Sequence, residues 1–175
     1  MGGELINFNY SSVSDNEYHN PILPQYIKVY GQDNFVPVKT IGKFCFANCI
    51  DLYSIIFPTT LENINSYSFA WDNSLSTIKL PYTIQKIDEF AFDNCTALEF
   101  VYVDSNKILN SLENGNDLFG SQVSTIYVKE NIYDDSINKF KINNGKSYFF
   151  NSIENGYAKY VVSDNDEEDP SASEP

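Results

Sequence analysis

Apolar residues recur along this chain at a spacing of 23 positions. Ile41, Ile64 and Ile87 coincide, as do Phe46, Phe69 and Phe92, then Leu52, Leu75 and Leu98. Ile55, Ile78 and Val101 form a fourth column, and Phe57, Leu80 and Val103 a fifth. Small residues or cysteine precede the Phe column (Cys45, Ser68, Ala91), and Pro58 and Pro81 follow two of the units. A period of this length predicts stacked units in a solenoid, not one ordinary globular core.

Within a unit, Leu-x-x-Ile-x-apolar reads as a short strand. Neighbours in a strand alternate faces, so Ile55 with Phe57, or Ile78 with Leu80, point together into the core. The proline that follows has no ladder N–H and ends the strand. One unit is too small to bury its own apolar face. Stacking joins the columns into a continuous interior, and each filled Leu, Ile or Phe contributes about 1.5–3 kcal/mol before entropy.

The less regular parts are predicted as follows. Residues 1–40 form an N-terminal cap: Glu4–Tyr10 alternates as a strand does, and Asp15–Pro24 is turn-rich. Leu23-Pro24-Gln25-Tyr26-Ile27 echoes Leu80-Pro81-Tyr82-Thr83-Ile84 outside the 23-residue register, as a degenerate first coil would. The repeats run over 41–129. The last is irregular, with an inserted polar loop over 105–117 and a turn at Asn114-Gly115-Asn116. Phe119 then restores the Phe column, and Val123, Ile126 and Val128 restore the strand. A C-terminal cap spans 130–163. Ile132, Tyr133, Ile137 and Phe140 have the spacing of a short amphipathic helix over Glu130–Ile142, laid across the open end. Tyr148–Val162 is expected to be an ordered hairpin about Glu154-Asn155-Gly156. Residues 164–175 are an acidic tail of disordered composition.

Charge narrows the possible partners. The net charge is −13, and the tail contributes six negatives with no positive, leaving −7 on the rest. Every cation is lysine; the chain has no arginine. Phosphate and base recognition lean on the guanidinium fork, so neither nucleic acid nor an anionic membrane surface is an expected partner. No stretch approaches 18 apolar residues, so no membrane insertion is expected, and Met1–Asn20 lacks the pattern of a secretory signal.

The units Ile41-Gly42-Lys43-Phe44-Cys45-Phe46-Ala47-Asn48-Cys49-Ile50-Asp51-Leu52 and Ile87-Asp88-Glu89-Phe90-Ala91-Phe92-Asp93-Asn94-Cys95-Thr96-Ala97-Leu98 resemble the BspA-like class of leucine-rich repeats. The likeness is specific over 41–104 and extends in looser form to about 142. The middle unit departs from the pattern, with Asp72 in place of Cys and Ser68 in place of Ala. The resemblance implies an α/β, mostly β leucine-rich-repeat solenoid: a parallel sheet on its concave side, short helical or irregular turns, and the cap helix. It also implies a surface or secreted setting and an adhesive, protein-binding role. No catalytic residue and no cofactor come with it.

In that geometry the residues between buried strand positions face out of the concave sheet. Ile56, Lys79, Phe100, Tyr102 and Tyr127 then make a partly aromatic strip, the candidate partner-binding surface. The alternative is that these side chains cover the sheet and bind nothing. A second functional reading makes the chain a structural subunit of a larger assembly, such as a viral or cell-envelope particle, contacting neighbours through its edges or through Tyr148–Val162. Other chemistry finds little support. Cys49 and Cys95 share a column two units apart, roughly 10 Å, beyond the reach of a disulfide. With Cys45 they are expected to be buried free thiols. Three cysteines and the lone His19 have no metal-ligand spacing. His19 lies in a polar segment, nothing nearby supports a Ser-His-Asp or Cys-His site around it, and it is expected to be a surface residue. Asp104-Ser105-Asn106 lacks the glycine and distant Glu of a calcium loop.

Overall fold

The computed structural model of the chain describes residues 3–5, 19–28, 31, 33–134, 137, 139–141 and 146–163. The described strands begin with β1 (Gly3–Leu5), β2 (Tyr26–Lys28), β3 (Phe35–Ile41), β4 (Ser54–Ile55), β5 (Asn63–Ile64), β6 (Thr77–Leu80), β7 (Lys86–Ile87) and β8 (Phe100–Val103). Helix α1 (Asn106–Glu113) follows, then β9 (Thr125–Lys129), β10 (Lys139–Lys141), β11 (Ser147–Glu154) and β12 (Tyr157–Ser163).

Successive coils pair in parallel, in the register the repeat predicts. Ile41 lies opposite Ile64 and Ile64 opposite Ile87 in a smaller sheet, β1-β3-β5-β7, with β2 antiparallel on β3. Ile55, Ile78, Val101 and Ile126 line up across β4, β6, β8 and β9 of a larger sheet. Leu52, Leu75 and Leu98 are fully enclosed between the two. Phe46, Phe69 and Phe92 stack ring on ring, 5.1 Å apart at each step. The chain is thus a stacked, mostly β solenoid.

Each regular coil turns back through two residues in the left-handed conformation: Phe44 and Asn48, then Tyr67 and Trp71, then Phe90 and Asn94, with φ between 56° and 65°. Such a φ on a non-glycine residue costs on the order of 1 kcal/mol or more. It persists because the interleaved amides are locked between coils: Phe46 N donates to Ser68 O and Phe69 N to Ala91 O, at 2.8 and 2.9 Å.

Ile22 bridges Ile56 in parallel, Leu23 N donates to Ile56 O, and Leu23 is buried one coil before Phe57. Segment 19–23 thereby covers the outer edge of β4. Most of Glu4–Tyr10 and the start of Asp15–Pro24 fall outside the described residues, as does the acidic tail 164–175.

Two expectations at the C-terminal end are corrected. The polar loop over 105–117 contains α1. Ile108, Leu109 and Leu112 are buried, and their spacing puts them on one helical face. Ser105 starts the helix, although its hydroxyl donates to Ile84 O and does not cap. Asn114 and Gly115 (φ 85°) end it, Gly115 N donating to Leu112 O. Conversely, no cap helix occupies the described part of 130–142. Ile132 and Tyr133 turn back on Lys129, and Lys139–Lys141 is a strand. The cap is a β meander. β10 pairs β11, the Asn155-Gly156 turn (φ 51° and 79°) reverses the chain, and β12 lies antiparallel on β9. An antiparallel strand satisfies the open edge of β9 directly, which a helix laid over it would not.

The Cys49–Asp72–Cys95 column holds an ionisable group inside the core. Cys95 Sγ donates to Phe69 O, and burial pushes its thiol up to about 12. Asp72, fully enclosed, accepts from Cys49 N at 2.6 Å, and its other oxygen has no hydrogen-bond partner. Desolvation raises its carboxyl to about 8 from 3.8. Below pH 3.8 folded and unfolded chains both hold this proton. As pH rises toward 8 the unfolded chain releases it while the folded chain keeps it, so stability falls across that window. The contribution is at most roughly 6 kcal/mol. Asp72→Cys, which places in the second coil the residue its neighbours carry, is expected to flatten this fall and raise the urea midpoint at pH 8. Equal pH slopes in the two proteins would show that Asp72 titrates as an ordinary carboxylate.

Candidate functional site

The strip begins in strand alternation. On β6, β8 and β9 the residues Ile78, Leu80, Val101, Val103, Ile126 and Val128 turn inward, so Lys79, Phe100, Tyr102 and Tyr127 turn outward. Lys79 lies opposite Tyr102, Tyr102 opposite Tyr127, and Tyr127 opposite Lys159 of β12. Ile56 stands one residue past the Ile55–Ile78 pair, on the edge bridged to Ile22. Phe100 lies one row away, between Thr77 and Thr125. The five predicted residues therefore share one sheet face, and the described column runs on through Ile22 and Lys159.

The two ends of that column differ. Tyr102 and Tyr127 stack 4.5 Å apart, nearly parallel. Tyr157 of β12 meets Tyr102 edge-on at 5.2 Å and is almost wholly covered. Its hydroxyl donates to Asp104 Oδ1 at 2.9 Å, while Lys79 Nζ sits 5.4 Å from its ring centroid. Lys129 pairs with the other Asp104 oxygen. Contact with Tyr157, ahead of the Asp104 charge, raises the Lys79 pKa; burial does the same for Tyr102. This end is a preformed cluster of tyrosines, lysines and one carboxylate. At the other end Ile22 (73% exposed), Ile56 (55%) and Tyr53 (47%) form an open apolar corner.

Tyr157 and Ile22 were not legible as members of the strip. Tyr157 lies on the hairpin, outside the repeat register, and Ile22 precedes it. A second missed feature did carry a signal. Phe44, Tyr67 and Phe90 are also spaced by 23, and their rings stack 5.3 and 5.5 Å apart on the turn side of the coils, with Trp71 beside Tyr67.

The remaining candidates are structural. His19 Nδ1 lies 2.8 Å from Asp51 O and the ring packs on Tyr53, so it engages a carbonyl and an aromatic face. The three cysteines form no disulfide with one another; Cys45 and Cys95 are buried and Cys49 is half-buried. Asp104 serves the tyrosine cluster. Among the described residues no group of three or more His, Cys, Asp or Glu could hold a metal ion, and no helix is long and apolar enough to cross a membrane.

A family model described as the BspA type leucine rich repeat region matches residues 32–153 in six copies. That span reaches beyond both ends of the 41–142 resemblance and takes in β3 and most of β11. Among solved structures, a leucine-rich repeat protein from Bacteroides ovatus is similar, at 19% identity and a TM-score of 0.47 over 72% of this chain. The match spans 30% of that protein's length. No curated protein matches the chain.

Tyr157→Phe is expected to cost about 1 kcal/mol by removing the bond to Asp104. It is also expected to lower the Lys79 pKa, read by NMR titration of the lysine side chains. An unmoved Lys79 would show that the cluster is packed but not coupled.

Proposed function

Because the chain belongs to the BspA-type leucine-rich repeat family, we propose that it is a non-catalytic module that binds a protein partner through the outward face of its larger sheet. The observation that carries this reading is the outward column Ile56, Lys79, Tyr102, Tyr127, exposed at Ile56 and Lys79 and half-buried at the two tyrosines, with half-buried Phe100 beside it. A rigid backbone holds these side chains in one plane, so little ordering entropy opposes docking. Ile56 and Tyr53 supply an apolar anchor, and the tyrosine–lysine cluster supplies donors on preorganised rings. An adhesive role of the kind the resemblance implies would use the same face.

The alternative reading, a subunit of a larger assembly, finds less support in its proposed contact. Tyr148 and Tyr160 are fully buried, and β12 is already paired on both sides. Tyr148–Val162 thus closes this chain's own sheet.

The test is capture on the immobilised protein, from cell-surface proteins and from lysate of the source organism, followed by affinity measurement with the purified partner. Ile56→Glu and the pair Tyr102→Ala with Tyr127→Ala are each expected to weaken binding about 10-fold or more. Ile56 is exposed, so its variant keeps the fold. A genuine partner bound equally well by both variants would refute the sheet-face assignment.

A further inference from the structure

Amides alternate in each regular coil. One set closes turns within the coil: Ser68, Ala70 and Asp72 donate to Asn65, Tyr67 and Phe69, and in the next coil Ala91, Asp93 and Cys95 donate to Asp88, Phe90 and Phe92. The interleaved set crosses to the following coil. Tyr67, Phe69 and Trp71 N–H reach the carbonyls of Phe90, Ala91 and Asp93 at 3.1, 2.9 and 2.8 Å. The third coil repeats this backbone, with Phe90 and Asn94 at φ 62° and 56° where Tyr67 and Trp71 have 59° and 65°. Its Phe90, Phe92 and Asn94 amides therefore face the fourth coil in the same way. None of the three has a hydrogen-bond acceptor among the described residues.

The insertion of α1 is the cause. It lies between β8 and Phe119 and displaces the fourth coil. The Phe119 ring meets Phe92 at 6.0 Å and 51°, where regular neighbours stack at 5.1 Å and nearly parallel. A groove of about 930 Å³ remains between the coils, with Phe90 and Phe92 on one wall and Asn116, Leu118 and Phe119 on the other.

Three properties of this groove select its occupant. Phe90 and Phe92 place free N–H groups on one wall, donors that the carbonyls of a peptide segment can meet. Phe90 ends the stack through Tyr67 to Phe44; it is 54% exposed and has a ring partner on one face only among the described residues. Asp88, Glu89, Asp93 and Asp117 line the groove, and its one lining cation, Lys86, is paired with Asp88 at 2.6 Å.

We propose that the groove receives an extended, lysine- or arginine-bearing segment of a partner protein. Its carbonyls accept from the Phe90 and Phe92 amides, which lie on the groove wall. Its cationic side chain lies on Phe90 among Glu89, Asp93 and Asp117. A phosphate-bearing or acidic ligand would meet four carboxylates, and a second copy of this chain carries the same negative charge. The site is separate from the sheet face and does not depend on it.

The probe is an acetylated and amidated heptapeptide of alternating arginine and serine, titrated into the ¹⁵N-labelled full chain. The expected result is a shift of the Phe90, Phe92 and Asn94 amide resonances, with binding that weakens as salt is added. Phe90→Ala and Glu89→Lys, both changes of exposed side chains, are each expected to weaken binding at least about 5-fold, and Tyr102→Ala to leave it unchanged. The idea is overturned if the three amides do not respond at about 1 mM peptide. Equal binding of a glutamate-for-arginine peptide, or of both groove variants, would also overturn it. So would slow hydrogen exchange of the three amides in the free protein, since it would mean that they already have acceptors.

Discussion

Hydrogen bonding between coils is the constraint from which the other features descend. A coil of 23 residues uses half of its turn amides internally and leaves the interleaved half for its neighbour. Burying an unpaired amide costs about as much as a lost hydrogen bond, so the coils must hold a common register. With that register set, Phe46, Phe69 and Phe92 fall into one stack, and the Leu and Ile columns close over it. The left-handed residues in each turn are tolerated for the same reason: relaxing them would break the crossing bonds.

A stack built this way has a problem at each end and wherever the register is lost. The ends are treated differently. Segment 19–23 adds a partial parallel coil to β4, while β12 adds an antiparallel strand to β9. The second solution brings Tyr157 over the sheet face, where it joins Tyr102, Lys79 and Asp104 in one cluster. Closing the fold and shaping the candidate surface are therefore one event. The internal break, at α1, is left unhealed on the turn side, and the amides exposed there are the consequence.

Asp72 shows how tightly the columns are enforced. A carboxyl stands where neighbouring coils carry cysteine, and it keeps the same backward reach, to Cys49 N instead of to a carbonyl. The backbone does not yield around it; its proton affinity changes instead.

The repeat itself was legible in the sequence, because a column of like residues at fixed spacing is a local, translational property of the chain. The parallel pairing, the inward columns and the outward row Ile56, Lys79, Tyr102, Tyr127 all follow from it. The Asn155-Gly156 hairpin was legible too, since its turn chemistry is contained in two residues. The position of the helix was misread. Ile108, Leu109 and Leu112 are scattered among polar residues, and only the core they meet distinguishes a short helix from a loop. Glu130–Ile142 has helical spacing, but pairing with β11 outweighs that preference. Tyr157 over the strip and the unpaired third-coil amides were decided by tertiary structure alone. Both arise where the translation stops, and a periodic pattern carries no information about how its own interruption is closed.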